Sequence, residues 1–158
     1  MVGAATTSGR AGSAATDDRV AAWSALLRVY AALVPMLERE LAAAHAMPLS
    51  WYDVLLELNS APERRLRMSE LGTRVVLSRE RVSRVVDELV RAGLVARERN
   101  PEDRRSVFAV ITPAGRDRLR AAAPTYLAGI ERHFTGRLTA DEARTIASAF
   151  ERLLPPRG

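Results

Sequence analysis

Arginine side chains, which could bind phosphate groups, are concentrated in one part of the chain. The 158-residue sequence has a net charge of +5, and all 24 of its basic residues are arginines. Between residues 63 and 105, twelve arginines stand against eight acidic residues, so this segment carries +4 of the net charge. The planar fork of N–H donors on arginine binds phosphate and guanine bidentately. The segment is therefore a candidate nucleic-acid-binding surface, with a merely solvated basic surface as the alternative.

The residue types used by enzymes and metal sites are sparse. Cysteine is absent, which excludes disulfides, thiolate metal sites and cysteine nucleophiles. The two histidines, His45 and His133, have no recognisable serine or acidic partner motif, and no glycine-rich phosphate loop is present. We therefore expect no enzymatic activity, no cofactor and no metal site.

The segment SRERVSRVVDEL, residues 78–89, has the pattern of an amphipathic helix with a basic outer face. Apolar residues recur at i, i+3, i+4 and i+7 from Val82 and form one stripe. The polar residues of its first two turns lie outside this stripe, at the end by which a DNA-reading helix enters the major groove. Glu80 could accept a hydrogen bond from cytosine or pair with the arginine four residues later, and we favour the pairing. The predicted DNA contacts are Ser78, Arg79, Arg81, Ser83 and Arg84.

Two arginines at the tip of a predicted β-hairpin form the second candidate contact. Residues 94–99 and 106–112 alternate apolar and polar side chains and predict two strands, joined by the loop NPEDRR. Beside a DNA-reading helix such a hairpin is a wing, whose guanidinium groups would lie at the negatively charged minor groove. We expect Arg104 and Arg105 to contact DNA, with Asp103 holding an arginine rotamer by a charge-assisted bond. A self-neutralising polar hairpin tip is the alternative.

Three helices are predicted before the basic helix. Apolar spacing predicts a long amphipathic helix from about residue 16 to residue 45, bent at Pro35. Ser50 and Asp53 have the spacing of a capping box and would open the second helix. A short helix begins near Ser69 and is followed by the N-cap candidate Ser78, so the short and basic helices together predict a helix-turn-helix.

Two further helices are predicted after the hairpin. Thr112 followed by Pro113 is an N-cap with proline at the first helical position, and this helix should run to about residue 134 with a bend at Pro124. Thr139 and Glu142 form a capping box ahead of the last helix.

Length and composition predict one ordered domain, residues 16–154, after a short tail. Residues 1–15 are mostly glycine, alanine, serine and threonine, and we expect them to be disordered. We find no apolar run of membrane-spanning length and no secretion signal at the N-terminus, which predicts a cytoplasmic protein without a membrane partner.

These elements, in this order, resemble the multiple antibiotic resistance regulator (MarR) family of winged-helix transcription factors. The most specific parts of the resemblance are SRERVSRVVDELVRAGLVAR and NPEDRRSVFAVITPAGR. It implies a mainly α fold with a small β wing, in which a winged helix-turn-helix, 50–112, lies between dimerisation helices, 16–46 and 113–154. The implied function is a homodimer on a palindromic double-stranded DNA operator. In the wing, the resemblance maps Asp103 as the orienting residue, Arg105 as the minor-groove arginine and Arg104 toward the DNA backbone.

The resemblance also implies a repressor that is released by a small aromatic or phenolic ligand. Aromatic rings with a polar tip suit such a ligand, and packing in the core or the dimer interface is the alternative use of these side chains. Similarity to a urate-responsive branch extends to Trp23, Asp53 and Arg84, but Ala96 stands where its fourth residue, an arginine, would be. The candidate pocket residues are Trp23, Tyr30, Trp51, Tyr52 and Asp53.

A winged helix can also serve as a protein–protein interaction or dimerisation module. In that case the basic face is only solvated and DNA is not the partner. The two hypotheses differ in salt dependence, because neutralising phosphates releases counterions and makes DNA affinity fall steeply with ionic strength.

Overall fold

The computed structural model describes residues 8–75, 77–103 and 105–154, with side chains from residue 17 onward. Over these residues the fold is mainly α with one small antiparallel sheet, which confirms the predicted fold class. Two 3₁₀ turns, Pro62–Arg64 and Thr135–Arg137, complete the regular structure. The helices and strands are α1 Ser8–His45, α2 Leu49–Ser60, β1 Arg65–Arg67, α3 Met68–Arg74, α4 Arg79–Arg91, β2 Val95–Arg99, β3 Val107–Ile111, α5 Pro113–His133 and α6 Ala140–Glu151.

The chain divides into two compact units within α1, at Met36 and Leu37. This division differs from the single domain predicted for residues 16–154. Over its described residues the first unit consists of α1 alone, so its apolar side chains have no second element of their own unit to pack against. The second unit contains the end of α1 and all the elements that follow.

Helix α1 begins earlier than the sequence pattern predicted. It starts at Ser8, so residues 8–15, which were predicted to be a disordered tail, are helical. Alanine has the highest helix propensity, and adding residues to an existing helix is far easier than nucleating one, so an alanine-rich segment extends the helix toward the N-terminus. Residues 1–7 of the predicted tail lie outside the described residues.

Part of α1 is long and apolar enough to cross a membrane, by length and composition alone. The helix over Asp17–His45 contains an 18-residue stretch with a mean hydropathy of 1.6. The expectation that no such run exists is wrong, because residues 20–37 contain a single charged side chain, Arg28. The same composition is found in helices that bury an apolar face against another protein chain.

The hydrophobic core of the second unit joins α2, α3, α4, the sheet and α5. Its largest fully buried side chains come from the end of α1, the loop after it, and the three helices α2, α3 and α4. Such a core fixes the orientation of α4 relative to the sheet, because closely packed side chains leave little room for movement. These side chains are Leu41, Met47, Val54, Leu55, Leu58, Leu71, Val82, Val86 and Leu89.

The sheet has three strands rather than the two that were predicted. Its order is β1–β3–β2, with β3 paired antiparallel to both neighbours. The three-residue strand β1 was missed because it is too short to show an alternating pattern and follows a turn without glycine. Glu63 and Arg64 make that turn in the left-handed region, with φ of 53° and 57°.

Side-chain caps open three of the six helices, at residues that the sequence predicted, and one predicted cap is absent. Ser78, Thr112 and Thr139 each accept a hydrogen bond from a backbone N–H in the first turn of α4, α5 and α6. The predicted cap at Ser50 is wrong: α2 begins one residue earlier, at Leu49, after the extended residue Pro48, and has no side-chain cap. The ring of Pro48 disfavours helical backbone angles in the residue before it, so the helix cannot extend further toward the N-terminus and begins at Leu49.

Candidate nucleic-acid interface

The helix α4 presents the basic face that its sequence pattern predicted. Val82, Val85, Val86 and Leu89 are at most 4% exposed and turn one side of the helix into the core. On the other side the guanidinium groups are free: among the described residues, none of the predicted α4 arginines forms an ion pair. Ser83 is half-buried beside them, and Ser78 is the exposed N-cap. The exposed arginines are Arg79, Arg81 and Arg84.

The predicted pairing of Glu80 with Arg84 is absent. Within the described part of the chain, no nitrogen of Arg84 lies within 4.0 Å of a carboxylate oxygen. Exposed pairs at i,i+4 contribute only about 0.3–0.5 kcal/mol, which is too little to hold two long solvated side chains together. Both side chains are exposed and available to a partner.

A cleft opens between α3, α4 and the wing. It has a volume of about 410 Å³ and three arginine side chains on its walls. Arg79 belongs to the predicted set on α4 and Arg105 to the predicted wing, so the structure brings these two groups to one surface. We call this surface the arginine cleft, and it is lined by Met68, Ser69, Gly72, Arg79, Val82, Ser83, Arg97, Arg105 and Val107.

Two polar residues of the arginine cleft were not predicted from the sequence. Ser69 lies in the first turn of α3, and Arg97 lies on β2 at the base of the wing. The sequence carried a signal for Arg97, because the alternation of β2 places residues 95, 97 and 99 on one face of the hairpin. Nothing in the sequence pattern distinguished Ser69 from the other polar residues of α3.

Nested turns shape the tip of the wing. The Oδ1 of Asn100 accepts from the backbone N–H of Glu102 at 3.0 Å, and the Oδ1 of Asp103 accepts from the backbone N–H of Arg105, also at 3.0 Å. The backbone N–H of Ser106 closes the loop onto the carbonyl of Asp103 at 2.9 Å. Asx turns of this kind fix the backbone path without a regular ladder. The predicted contact at Arg104 lies outside the described residues.

The structure gives the Asp103 carboxylate a backbone partner, and its expected role toward an arginine side chain stays a prediction, since Arg104 lies outside the described residues. We expected its carboxylate to hold an arginine side chain, but the recorded bond goes to the backbone N–H of Arg105. A carboxylate two residues before an N–H donor reaches it through a compact Asx turn more easily than it reaches the end of a long side chain. Asp103 thus orders the turn that carries Arg105, whose side chain is exposed.

Adjacent carboxylates tie α4 to its neighbours on two flanks. Asp87 forms an ion pair of 2.8 Å with Arg97 of β2, and the indole N–H of Trp51 in α2 donates to Glu88 at 2.8 Å. Successive helix positions point about 100° apart, so the two bonds hold different sides of the helix. They connect α4 both to the wing and to α2.

The predicted ligand residues fall into two groups. Trp23 and Tyr30 lie in the first unit, where both side chains are more than half exposed. Trp51, Tyr52 and Asp53 lie in the first turns of α2 in the second unit. Trp51 uses its polar atom within the protein, which leaves its ring but not its N–H for a ligand.

The other two α2 residues pack toward α5. The ring of Tyr52 lies 4.4 Å from the ring of Tyr126, and burial raises the pKa of both phenols. Burial, with a smaller contribution from the Glu57 charge, also raises the pKa of Asp53 to about 6. Tyr126 was not among the predicted residues, since its place in α5 gave no hint that it would face α2.

Nearby, the last residues of α1 are bound to α5 by polar contacts. The side chain of Glu40 accepts from Arg132 at 2.9 Å and lies 2.7 Å from the ring nitrogen of His133. The hydrogen bond from His133, followed by the Arg132 charge, holds the pKa of Glu40 below its usual range. His45 lies within hydrogen-bond distance, 2.8 Å, of the Thr125 hydroxyl. Over the described residues, no group of three histidine or acidic side chains could hold a metal ion.

Comparison with known proteins places the chain among MarR-like regulators. The model of the MarR family matches residues 46–106. Among curated proteins, an uncharacterised HTH-type transcriptional regulator of Bacillus subtilis, YkoM, is 37% identical over 76 residues. This match covers 48% of the chain, and the chain spans about half the length, 49%, of that relative.

Solved structures extend the similarity to most of the chain. Sco3205, a MarR family transcriptional regulator from Streptomyces coelicolor solved in complex with DNA, is 30% identical with a TM-score of 0.79, over 87% of this chain and 86% of that one. AbsC, a MarR family regulator from the same organism, is 31% identical with a TM-score of 0.78, over 87% of this chain and 92% of that one.

Proposed function

This chain belongs to the MarR family of transcriptional regulators, and we propose that it acts as a homodimeric repressor on a palindromic DNA operator. Family membership also confirms the prediction that the protein is not an enzyme. Because its partner is DNA, we place its action in the cytoplasm.

The observation that carries this proposal is the arginine cleft together with the outer face of α4. Arg79, Arg81 and Arg84 project from the first two turns of α4 without an internal partner among the described residues, and Arg105 stands across the cleft on the wing. A helix of this size fits the major groove, and its N-terminus carries a partial positive charge that favours phosphate. We assign Arg79 and Arg84 to base edges in the major groove and Arg105 to the minor groove.

The homodimer is supported by apolar surface that the single chain leaves uncovered. In the first unit, Val20, Trp23, Leu27 and Tyr30 are 48–60% exposed at helical spacing. In the second unit, the exposed apolar side chains near the C-terminus are Leu127, Phe150, Leu153 and Leu154. Patches of this kind mark interfaces, and two winged modules related by a two-fold axis would read the two halves of a palindrome.

A small aromatic ligand is the effector we propose for release of the repressor. Support comes from the cluster around α2, where two phenol rings and a half-buried carboxyl group face one another at Tyr52, Tyr126 and Asp53. Planar rings with polar tips bind aromatic ligands by stacking and by hydrogen bonds. The ring of Trp51, in the same unit, is a further candidate for contact with this ligand.

Footprinting of the purified protein on the DNA that flanks its own gene tests the proposal. We expect protection of a palindrome whose half-sites are about one helical turn apart, by a species that sedimentation shows to be a dimer. A panel of phenolic and purine compounds, screened by thermal shift, should contain one that abolishes the footprint. A monomer, or a protein that protects no sequence, would favour the protein-interaction module instead.

A further inference from the structure

A side-chain hydrogen bond joins α2 to the flank of α4 that carries Glu88. The indole N–H of Trp51 donates to an Oε of Glu88 at 2.8 Å, and both residues are half-buried. The indole has one polar group and can only donate, so this bond uses its whole hydrogen-bonding capacity. A bond to a carboxylate is charge-assisted and is stronger than one between neutral groups.

Glu88 is placed where it could disable a DNA-facing arginine. It follows Arg84 by four residues, and side chains at this spacing are neighbours on the same flank of a helix. A guanidinium and a carboxylate in this position attract each other, yet Arg84 is exposed and has no ion pair among the residues that the structure describes. The carboxylate of Glu88 is instead turned to the indole of α2.

We propose that Trp51 is a positioning residue for DNA recognition, which holds the Glu88 carboxylate and so leaves the Arg84 guanidinium free to contact DNA. The inference rests on the proposed function, because it requires Arg84 to touch the operator. Without the indole N–H, Glu88 turns to Arg84, and the protein must break that ion pair before Arg84 can bind DNA.

The size of the effect follows from the strength of the competing pair. The half-buried Glu88 carboxylate is screened less by water than the exposed Glu80, so its pair with Arg84 is stronger than the one that Glu80 does not make, and its competition lowers operator affinity about two- to fivefold. The loss has to depend on both charged groups, since it arises from their pairing and not from a change of fold. This double dependence separates the positioning role from simple packing by the Trp51 ring.

The test is a mutant cycle on operator affinity, with thermal unfolding of every variant. Trp51→Phe removes the N–H donor and keeps an aromatic ring, and we expect it to weaken operator binding about two- to fivefold. Glu88→Gln removes the charge and keeps an acceptor for the indole. In that background, and in an Arg84→Ala background, Trp51→Phe should have no effect on affinity.

Each other outcome overturns the inference. An equal loss from Trp51→Phe with and without Glu88→Gln would show that the ring acts by packing alone. Unchanged affinity of Trp51→Phe would show that Glu88 does not compete. If Arg84→Ala itself leaves operator affinity unchanged, the assignment of Arg84 to DNA fails, and the proposed function loses that contact as well.

A second variant serves if Trp51→Phe is unfolded at the assay temperature. Glu88→Asp keeps the charge and withdraws the carboxylate from the indole by one methylene group, so it should cause the same loss of affinity with Trp51 intact. That loss should vanish in the Arg84→Ala background. Wild-type affinity for Glu88→Asp would contradict the inference.

Discussion

The carboxylate of Asp103 bonds to the backbone N–H of Arg105, 3.0 Å away, and so shapes the turn at the tip of the wing. Asn100 makes the same kind of bond to Glu102 at the start of that loop. The loop that carries Arg105 is therefore ordered by side-chain acceptors rather than by strand pairing. Ordering before binding lowers the entropy lost when the wing meets DNA.

The Asp103 bond predicts that DNA affinity depends on the acceptor oxygen of this side chain and does not require its negative charge. Asp103→Asn keeps an Oδ1 acceptor and removes a negative charge next to phosphates, so we expect DNA affinity to be equal or tighter. Asp103→Ala removes the acceptor and should weaken binding about fivefold, the equivalent of about 1 kcal/mol for one hydrogen bond. Fluorescence anisotropy with one labelled duplex compares the two. Equal losses for both variants would mean that the charge acts on a guanidinium after all.

The arginines of α4 and of the wing should differ in what they recognise. Arg79→Ala or Arg84→Ala should lose about 1–3 kcal/mol of discrimination at particular base pairs, since each removes a base contact. Arg105→Ala should weaken specific and random duplexes alike and reduce the salt slope by about one unit. Competition binding with operator and random DNA measures both effects.

The matched control for these variants is Arg120→Ala. Arg120 is an exposed arginine of α5, 75% accessible and paired locally with Asp117, so the variant removes one positive charge away from α4 and the wing. It should leave the ratio of specific to random affinity unchanged. Equal effects of Arg79→Ala, Arg84→Ala and Arg105→Ala on both duplexes would show that α4 is not the reading helix.

Asp53 should make the protein less stable as the pH rises. Its pKa of about 6 in the fold exceeds its ordinary value of 3.8, so the native state binds this proton more tightly than the unfolded state. The contribution to the free energy of unfolding is therefore largest below pH 4 and is lost as the pH rises through about 6. The groups that face Asp53 are Glu57 on its own helix and the phenols of Tyr52 and Tyr126.

Asp53→Asn isolates this contribution. We expect the variant to be about 1–2 kcal/mol more stable than the wild type at pH 7 and the difference to disappear near pH 4, a size that allows for the partial exposure of the carboxyl group. Urea unfolding of both proteins between pH 4 and pH 8 measures the difference. A constant difference across that range would mean that the carboxyl group has no raised pKa.

Two glycines predict opposite effects of the same substitution. A Cβ on Gly115 would lie 2.1 Å from the Leu94 carbonyl oxygen and 2.9 Å from Ile111, so Gly115→Ala must displace backbone and should cost about 1–3 kcal/mol. A Cβ on Gly72 would meet only Arg79, at 3.7 Å. Gly72→Ala should therefore stabilise α3 by about 0.5–1 kcal/mol. Urea unfolding at one pH compares the two, and a loss of stability in Gly72→Ala would contradict the packing described.

Local signals in the sequence predicted most of the elements that position the candidate site. The helix boundaries were predictable because single residues with strong positional preferences define them. These residues are the N-caps Ser78 and Thr112, and Gly93, which has a φ of 73° just past the end of α4. The apolar stripe of α4 was correct because one helix face must enter the core. The assignment of individual DNA contacts stays a prediction.

Contacts between distant parts of the chain could not be predicted in the same way. The bond from Trp51 to Glu88 spans 37 residues, and the pairing of Arg97 with Asp87 depends on how the hairpin packs on α4. Strand β1 forms because its backbone pairs with the edge of β3. Its own three residues are too few to show the alternation of apolar and polar side chains that predicts a strand. Helix α1 begins earlier than predicted because the alanine-rich residues before residue 16 are compatible with either a disordered tail or a helix.

The dependence of operator affinity on salt concentration tests the central claim most directly. If the exposed arginines of α4 and the wing neutralise phosphates, a plot of log K against log salt should be linear with a negative slope of several units. Arg105→Ala should reduce that slope by about one unit, while Arg120→Ala should not. A slope near zero for the wild-type protein would contradict DNA binding by these arginines, and the basic surface would then be solvated without binding phosphates.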